Sequence, residues 1–161
     1  MNCRAHGACG SWLPAAAAAL GATQVDLALD GALGGGAALA ARPDAPAGVL
    51  RTARLVFHVS YFEGVIGGAP DYDAIRALPS YAASELQLGV GDALTKSVDC
   101  CSIAGMATLI HDDPAVVDAD YAAIRALEEA PGALFAVAPV APSDGEFKLL
   151  VEKGKSLSFK E

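Results

Sequence analysis

"GVLRTARLVFHVSYFEG", residues 48–64, decides between a helical protein and a sheet protein. Wound as a helix, it places Leu50, Leu55, Val59 and Phe62 roughly on one face, with Arg51 and Arg54 nearer the other. Its β-branched and aromatic content makes a strand over 55–61 the competing reading. The helical reading is adopted, with Gly64, Gly67, Gly68 and Pro70 ending the element.

An internal repeat supports that choice. "DYDAIRAL" spans Asp71–Leu78 and "DYAAIRAL" spans Asp120–Leu127, differing at one position. Each copy follows an apolar segment (50–63 and 97–110) and a loop broken by Gly or Pro. Asp71 and Asp120 suit N-caps, where a carboxylate accepts backbone N–H bonds and meets the positive end of the helix dipole. Tyr72, Ile75, Leu78 and Tyr121, Ile124, Leu127 then form two buried stripes, with Arg76 and Arg125 beside them. The unit reads as helix, loop, capped helix, twice over.

Outward from the repeat, Pro14 precedes the short helix candidate "AAAAAL". Thr23 with Asp26 three residues on forms a capping box opening a helix at "QVDLALDGAL", although the same residues also alternate like a strand. "GALGGGAALAARPDAPAG" reads as a loop with a helical turn inside it. "ALFAVAPVAP", "EFKLLVEKG" and "SLSFKE" form an antiparallel β element over 133–160. The expected fold is mainly α: a small helical domain with a duplicated helix–loop–helix unit and a short C-terminal antiparallel β element. Residues 1–22 read as an arm or targeting remnant, and 23–161 as a single domain, helical over 23–132 and β-rich over 133–161.

Composition limits the function. The 161 residues include 53% hydrophobic but only 6% aromatic and 19% charged residues, the excess being alanine. Mean hydropathy is +0.38. A charge-poor surface of small side chains fits a subunit covered by another protein. The formal net charge of −8 and a pI near 4.7 argue against nucleic acid, whose binders need a basic surface. No uninterrupted apolar run reaches bilayer length, and the best candidate is broken by Arg51, Arg54 and Glu63. Any membrane association is therefore peripheral. "MNCRAHGACGSWLPAAAAALGA" has one Arg, no acid and a short Ala-rich stretch, resembling a secretory or organellar targeting segment.

The familiar chemical motifs are missing. The glycines of "GALGGG" do not follow the dinucleotide order, no phosphate-binding lysine follows them, and no nucleophile elbow occurs. Cys3, His6 and Cys9 give C-x2-H-x2-C, part of a zinc pattern whose fourth ligand would be Cys100, Cys101 or His111. Cys100 and Cys101 read instead as helix packing, with a tether to Cys3 or Cys9 in an oxidising compartment. His111, Asp112 and Asp113 invite an acid–base reading, but neighbours on a loop do not converge by themselves. His58 reads as a core or interface histidine, and as the best-placed axial ligand if a porphyrin or chlorin were bound.

The stretch "GMATLIHDDPAVVDADYAAIRAL" resembles a helix–loop–helix portion of the peridinin–chlorophyll proteins, small Ala-rich helical proteins with internal duplication. The resemblance implies a pigment between paired helices. Ser102 and Ile103 stand near the place where that family carries adjacent histidines, which puts pigment binding by that route in doubt.

Three functions are expected in turn. The first is a non-catalytic accessory subunit docking onto a larger protein complex, organellar (plastid) and energy-transducing, through Tyr72, Arg76, Tyr121 and Arg125. The second is a carrier of an apolar ligand or pigment between paired helices, with His58 as its ligand. The third is an enzyme using His111, Asp112 or Asp113.

Overall fold

The computed structural model describes residues 12–43, 45, 48–99 and 102–138. The described residues are mixed rather than mainly helical: about 39% of them are helix and 22% strand, with two three-stranded antiparallel sheets. Its elements are α1 (Trp12–Leu20), α2 (Gln24–Ala40), β1 (Thr52–His58), β2 (Gly64–Ile66), α3 (Tyr72–Arg76), β3 (Tyr81–Leu86), β4 (Ala93–Leu94), β5 (Gly105–His111), α4 (Pro114–Glu129) and β6 (Val137–Ala138). No helix among the described residues is long and apolar enough to cross a membrane.

The deciding stretch is strand β1, which overturns the helical expectation. The physical reason is that its sheet is covered on both faces. Arg54 and His58 reach α4 on one side, through Asp118 and Glu128, while Phe57 meets the Trp12 ring of α1 on the other, centroids 6.1 Å apart. A strand buried on both faces carries a continuous apolar run, here Leu55-Val56-Phe57, instead of a clean alternation. Such a run fits a helical stripe equally well, and only its β-branched and aromatic residues point to the strand.

The first sheet has the order β1-β5-β3. β1 pairs antiparallel with β5, Leu55 opposite Thr108 and His58 opposite Gly105, and β3 pairs antiparallel with the other edge of β5. β1 and β3 therefore run parallel with β5 inserted between them, a split β-α-β arrangement with α3 in the connection. The second sheet, β4-β2-β6, closes one end and buries Ile66 and Leu94. β6 pairs with β2 and is the described part of the expected β tail; residues 139–160 of that expectation lie outside the described residues. The core joins Val56, Ala107 and Leu109 of the sheet to Tyr72, Ile75, Val117 and Ile124 of the helices.

The repeat is strand, loop, helix rather than helix, loop, capped helix. The segments ahead of the two copies are β1 and β5, hydrogen-bonded neighbours. The copies themselves are helical but not equivalent. Asp71 precedes the five-residue α3 without a side-chain cap bond. Asp120 lies inside the sixteen-residue α4, whose N-cap is Asp113, accepting the Ala115 N–H at 2.9 Å ahead of Pro114. Asp120 is buried and accepts from the Ser80 backbone N–H (2.7 Å) and hydroxyl (2.6 Å), tying α4 to the turn before β3. Ile75 and Ile124 are both fully buried, so each copy keeps its apolar anchor. The peridinin–chlorophyll resemblance does not extend to the fold, since "GMATLIH" is β5 and not a helix.

The capping box of α2 is present. Thr23 Oγ1 accepts from the N–H groups of Val25 and Asp26, and Asp26 Oδ2 accepts from the Thr23 N–H (2.7 Å) and hydroxyl (2.8 Å). These bonds, the backbone one foremost, hold the Asp26 carboxyl below the usual carboxylate range. The helix continues to Ala40 where a loop was expected, kinking at Gly35, whose φ of 62° needs no Cβ.

Candidate functional site

Four of the five residues singled out from the sequence for ligand or partner binding meet around one that was not. β1 ends on His58, whose ring is completely buried, with Nδ1 2.8 Å from Glu128 Oε1 of α4. Arg125, one helical turn before Glu128, donates to Glu128 Oε2 at 2.5 Å and to the Phe57 carbonyl at 2.8 Å. The imidazole Nδ1 and the guanidinium thus share the Glu128 carboxyl group, one on each oxygen. Tyr121 lies half-buried under two cations, the guanidinium carbons of Arg54 and Arg125 standing 4.7 and 5.0 Å from its ring centroid.

Tyr72 completes the cluster from α3. Its ring meets His58 edge-on, centroids 5.4 Å apart. Burial first, and the Glu128 charge second, push its phenol well above the ordinary range, so it stays a neutral O–H. Tyr72 Oη and His58 Nε2 are both buried without a hydrogen-bond partner among the described residues. They converge on Gly105: a Cβ there would stand 2.7 Å from Tyr72 Oη and 3.5 Å from His58 Cδ2. The fifth residue, Arg76, is apart from them, exposed and paired with Asp73 at 2.9 Å. As a partner-binding set the four therefore divide: Tyr72 and much of Arg125 face inward, Tyr121 is half-buried, and Arg76 stands in solvent.

The cluster has the parts of an oriented acid–base pair, but His58, Glu128 and Tyr72 are all closed off from solvent. Glu128 was missed although a signal existed. Val117, Tyr121, Ile124 and Glu128 step by four, three and four, so an acid sits on the buried stripe of α4 and needs a partner inside.

The other chemical candidates take local roles. His111 Nδ1 accepts the Asp113 N–H at 3.0 Å, Asp112 pairs with Arg51 at 2.6 Å, and Asp113 caps α4. Among the described residues no group of three or more His, Cys, Asp or Glu side chains is arranged to hold a metal ion. Cys3, His6, Cys9, Cys100 and Cys101 lie outside the described residues, and with them the zinc and tether readings.

A cavity of about 800 Å³ opens on the other side of the first sheet, between α1, α2 and the segment that leads into β1. Trp12, Leu13, Ala16, Leu20, Leu27 and Leu50 are the larger apolar side chains and the mid-helix alanine of its wall. The Leu50 N–H donates to the Ala19 carbonyl at 2.8 Å, holding that segment against α1. Thr23, Gln24 and Arg42 are the polar residues of the wall, and Arg42 is its one charged residue among those described. His58 does not line it. Ligand sites are typically about 300–1,000 Å³, mostly apolar, with a few placed polar groups, and this cavity meets each condition. Comparison with protein-family models, with curated proteins and with solved structures finds no match to this chain.

Proposed function

We propose that the protein binds an apolar small molecule in the cavity between α1 and α2. One observation carries this reading: about 800 Å³ of space walled by aromatic and aliphatic side chains. Two helices that leave such a volume between them, in place of interdigitated leucines, forgo packing that a purely structural pair would make. Burial of an apolar ligand would recover it. His58 takes no part in this reading, because it lies at the buried cluster and not at the cavity.

Trp12 is the only tryptophan of the chain and stands on the cavity wall, so the tryptophan emission comes from a residue of the site. Titration with N-phenylnaphthylamine, an uncharged probe that absorbs where indole emits, is expected to quench Trp12 saturably at about one probe per chain, with rising probe fluorescence. Non-saturating quenching that tracks total probe would reject the site.

A second reading, the accessory subunit docking onto a larger protein complex, is favoured by a different observation. Leu29 and Leu33 of α2 are 51% and 85% exposed, large apolar side chains on one helix of a charge-poor protein. A monodisperse monomer in solution that captures no partner would set this reading aside.

A further inference from the structure

We propose that the cavity selects an uncharged apolar ligand over an anionic molecule of the same shape, a refinement that rests on the ligand-binding reading above. The inference comes from what stands behind the polar end of the wall. Arg42 is the only described cation there, and its Nε donates to the carboxylate of Asp30. The neighbouring polar wall residue, Thr23, is bonded to a second carboxylate, with its hydroxyl donating to Asp26 Oδ2 at 2.8 Å. Among the described residues one guanidinium is thus set against two carboxylates, a net negative balance at this end of the cavity. The protein around it has a formal net charge of −8.

This arrangement is the reverse of a fatty-acid site, in which a cation waits without a partner for the ligand's carboxylate. An incoming anion would have to share Arg42 with the Asp30 carboxylate and approach Asp26 as well, meeting like charge from both. Asp30 and Arg42 side chains are each about a third exposed (35% and 34%), so the repulsion is partly screened but not removed. A neutral ligand meets no such opposition. Its hydroxyl or carbonyl oxygen can accept from the further N–H donors of the guanidinium, which carries five in all. The ligand class is therefore a neutral lipid-like molecule: a hydrocarbon, or one ending in an alcohol, ketone or ester.

Two probes with one ring system separate the possibilities. N-phenylnaphthylamine is uncharged, and anilinonaphthalene sulfonate adds a fixed negative charge. The uncharged probe is expected to bind at least about tenfold more tightly, read from Trp12 quenching, a difference of about 1.4 kcal/mol. The gap should narrow at about 1 M salt, where the Debye length falls to about 3 Å. It should also narrow in Asp30→Asn, because that variant removes one of the two carboxylates. Equal binding of the probes, or tighter binding of the sulfonate, would overturn the charge selection while leaving the ligand-binding reading in place. Failure of both probes to quench Trp12 would overturn both.

Discussion

Glu128→Ala is expected to lower the unfolding free energy by about 3–5 kcal/mol, the range for removing one partner of a buried ion pair. Glu128 is buried at the end of α4 and receives bonds from two elements: His58 Nδ1 of β1 at 2.8 Å, and Arg125 at 2.5 Å. Deleting its side chain leaves the imidazole N–H without an acceptor and the guanidinium with only the Phe57 carbonyl. Glu128→Gln should cost less, about 1–3 kcal/mol, because the amide oxygen still accepts from one donor while the amide nitrogen opposes the other. Urea titration followed by far-ultraviolet circular dichroism measures both. The account requires the alanine variant to be the weaker of the two, with the m value unchanged. A Glu128→Ala protein as stable as the parent would mean that the His58–Glu128–Arg125 contacts are not those of the folded chain.

Gly105→Ala is the second large effect, expected at about 1–3 kcal/mol, the range for overpacking a filled core. Gly105 is paired with His58 on one side and Leu86 on the other, in the middle strand of the sheet. An added Cβ would lie 2.7 Å from Tyr72 Oη and 2.8 Å from the Glu85 carbonyl oxygen. Both distances are too short, so the phenol and the β3 backbone must both shift. Tyr72→Phe removes the first clash and also deletes a buried hydroxyl that has no partner among the described residues. Alone it should be close to neutral or stabilising. Combined with Gly105→Ala it should recover part of the loss and no more, since the Glu85 oxygen remains. A double-mutant cycle by thermal or urea unfolding gives the coupling directly. Additive effects would show that Tyr72 does not approach Gly105.

How far the chain was legible depends on where local signals competed with tertiary ones. The capping box at Thr23 and Asp26 was readable because its chemistry is confined to four residues. Helical structure in both repeat copies was readable too, since their stripes repeat at helical spacing. β1 and β5 were misread because α1 covers one face of their sheet and α4 the other, and neither partner can be inferred from the strand itself. The caps of the repeat were misread for a related reason. An aspartate looks the same at an N-cap and on a buried turn, and Asp120 has Ser80 as its distant partner.

The site divided in the same way. His58, Tyr72 and Arg125 stood out by residue type, whereas Glu128, which joins two of them, did not stand out among the acids of an acidic chain. The cavity left no motif at all. Its wall is mostly alanine, leucine, glycine and one tryptophan with three polar residues, and its volume follows from how α1, α2 and residues 42, 43, 45, 48 and 50 are set against one another.

The central functional claim is that this cavity is a binding site. Ala16, at mid-length in α1, lines it with a methyl group, so Ala16→Phe would fill space without touching the sheet's far face or the Glu128 cluster. The direct test is N-phenylnaphthylamine titration of the parent and of Ala16→Phe, at matched fold as judged by circular dichroism. The account predicts saturable binding to the parent and affinity reduced at least about tenfold in the variant, equivalent to about 1.4 kcal/mol. Equal affinity in the two proteins would contradict it.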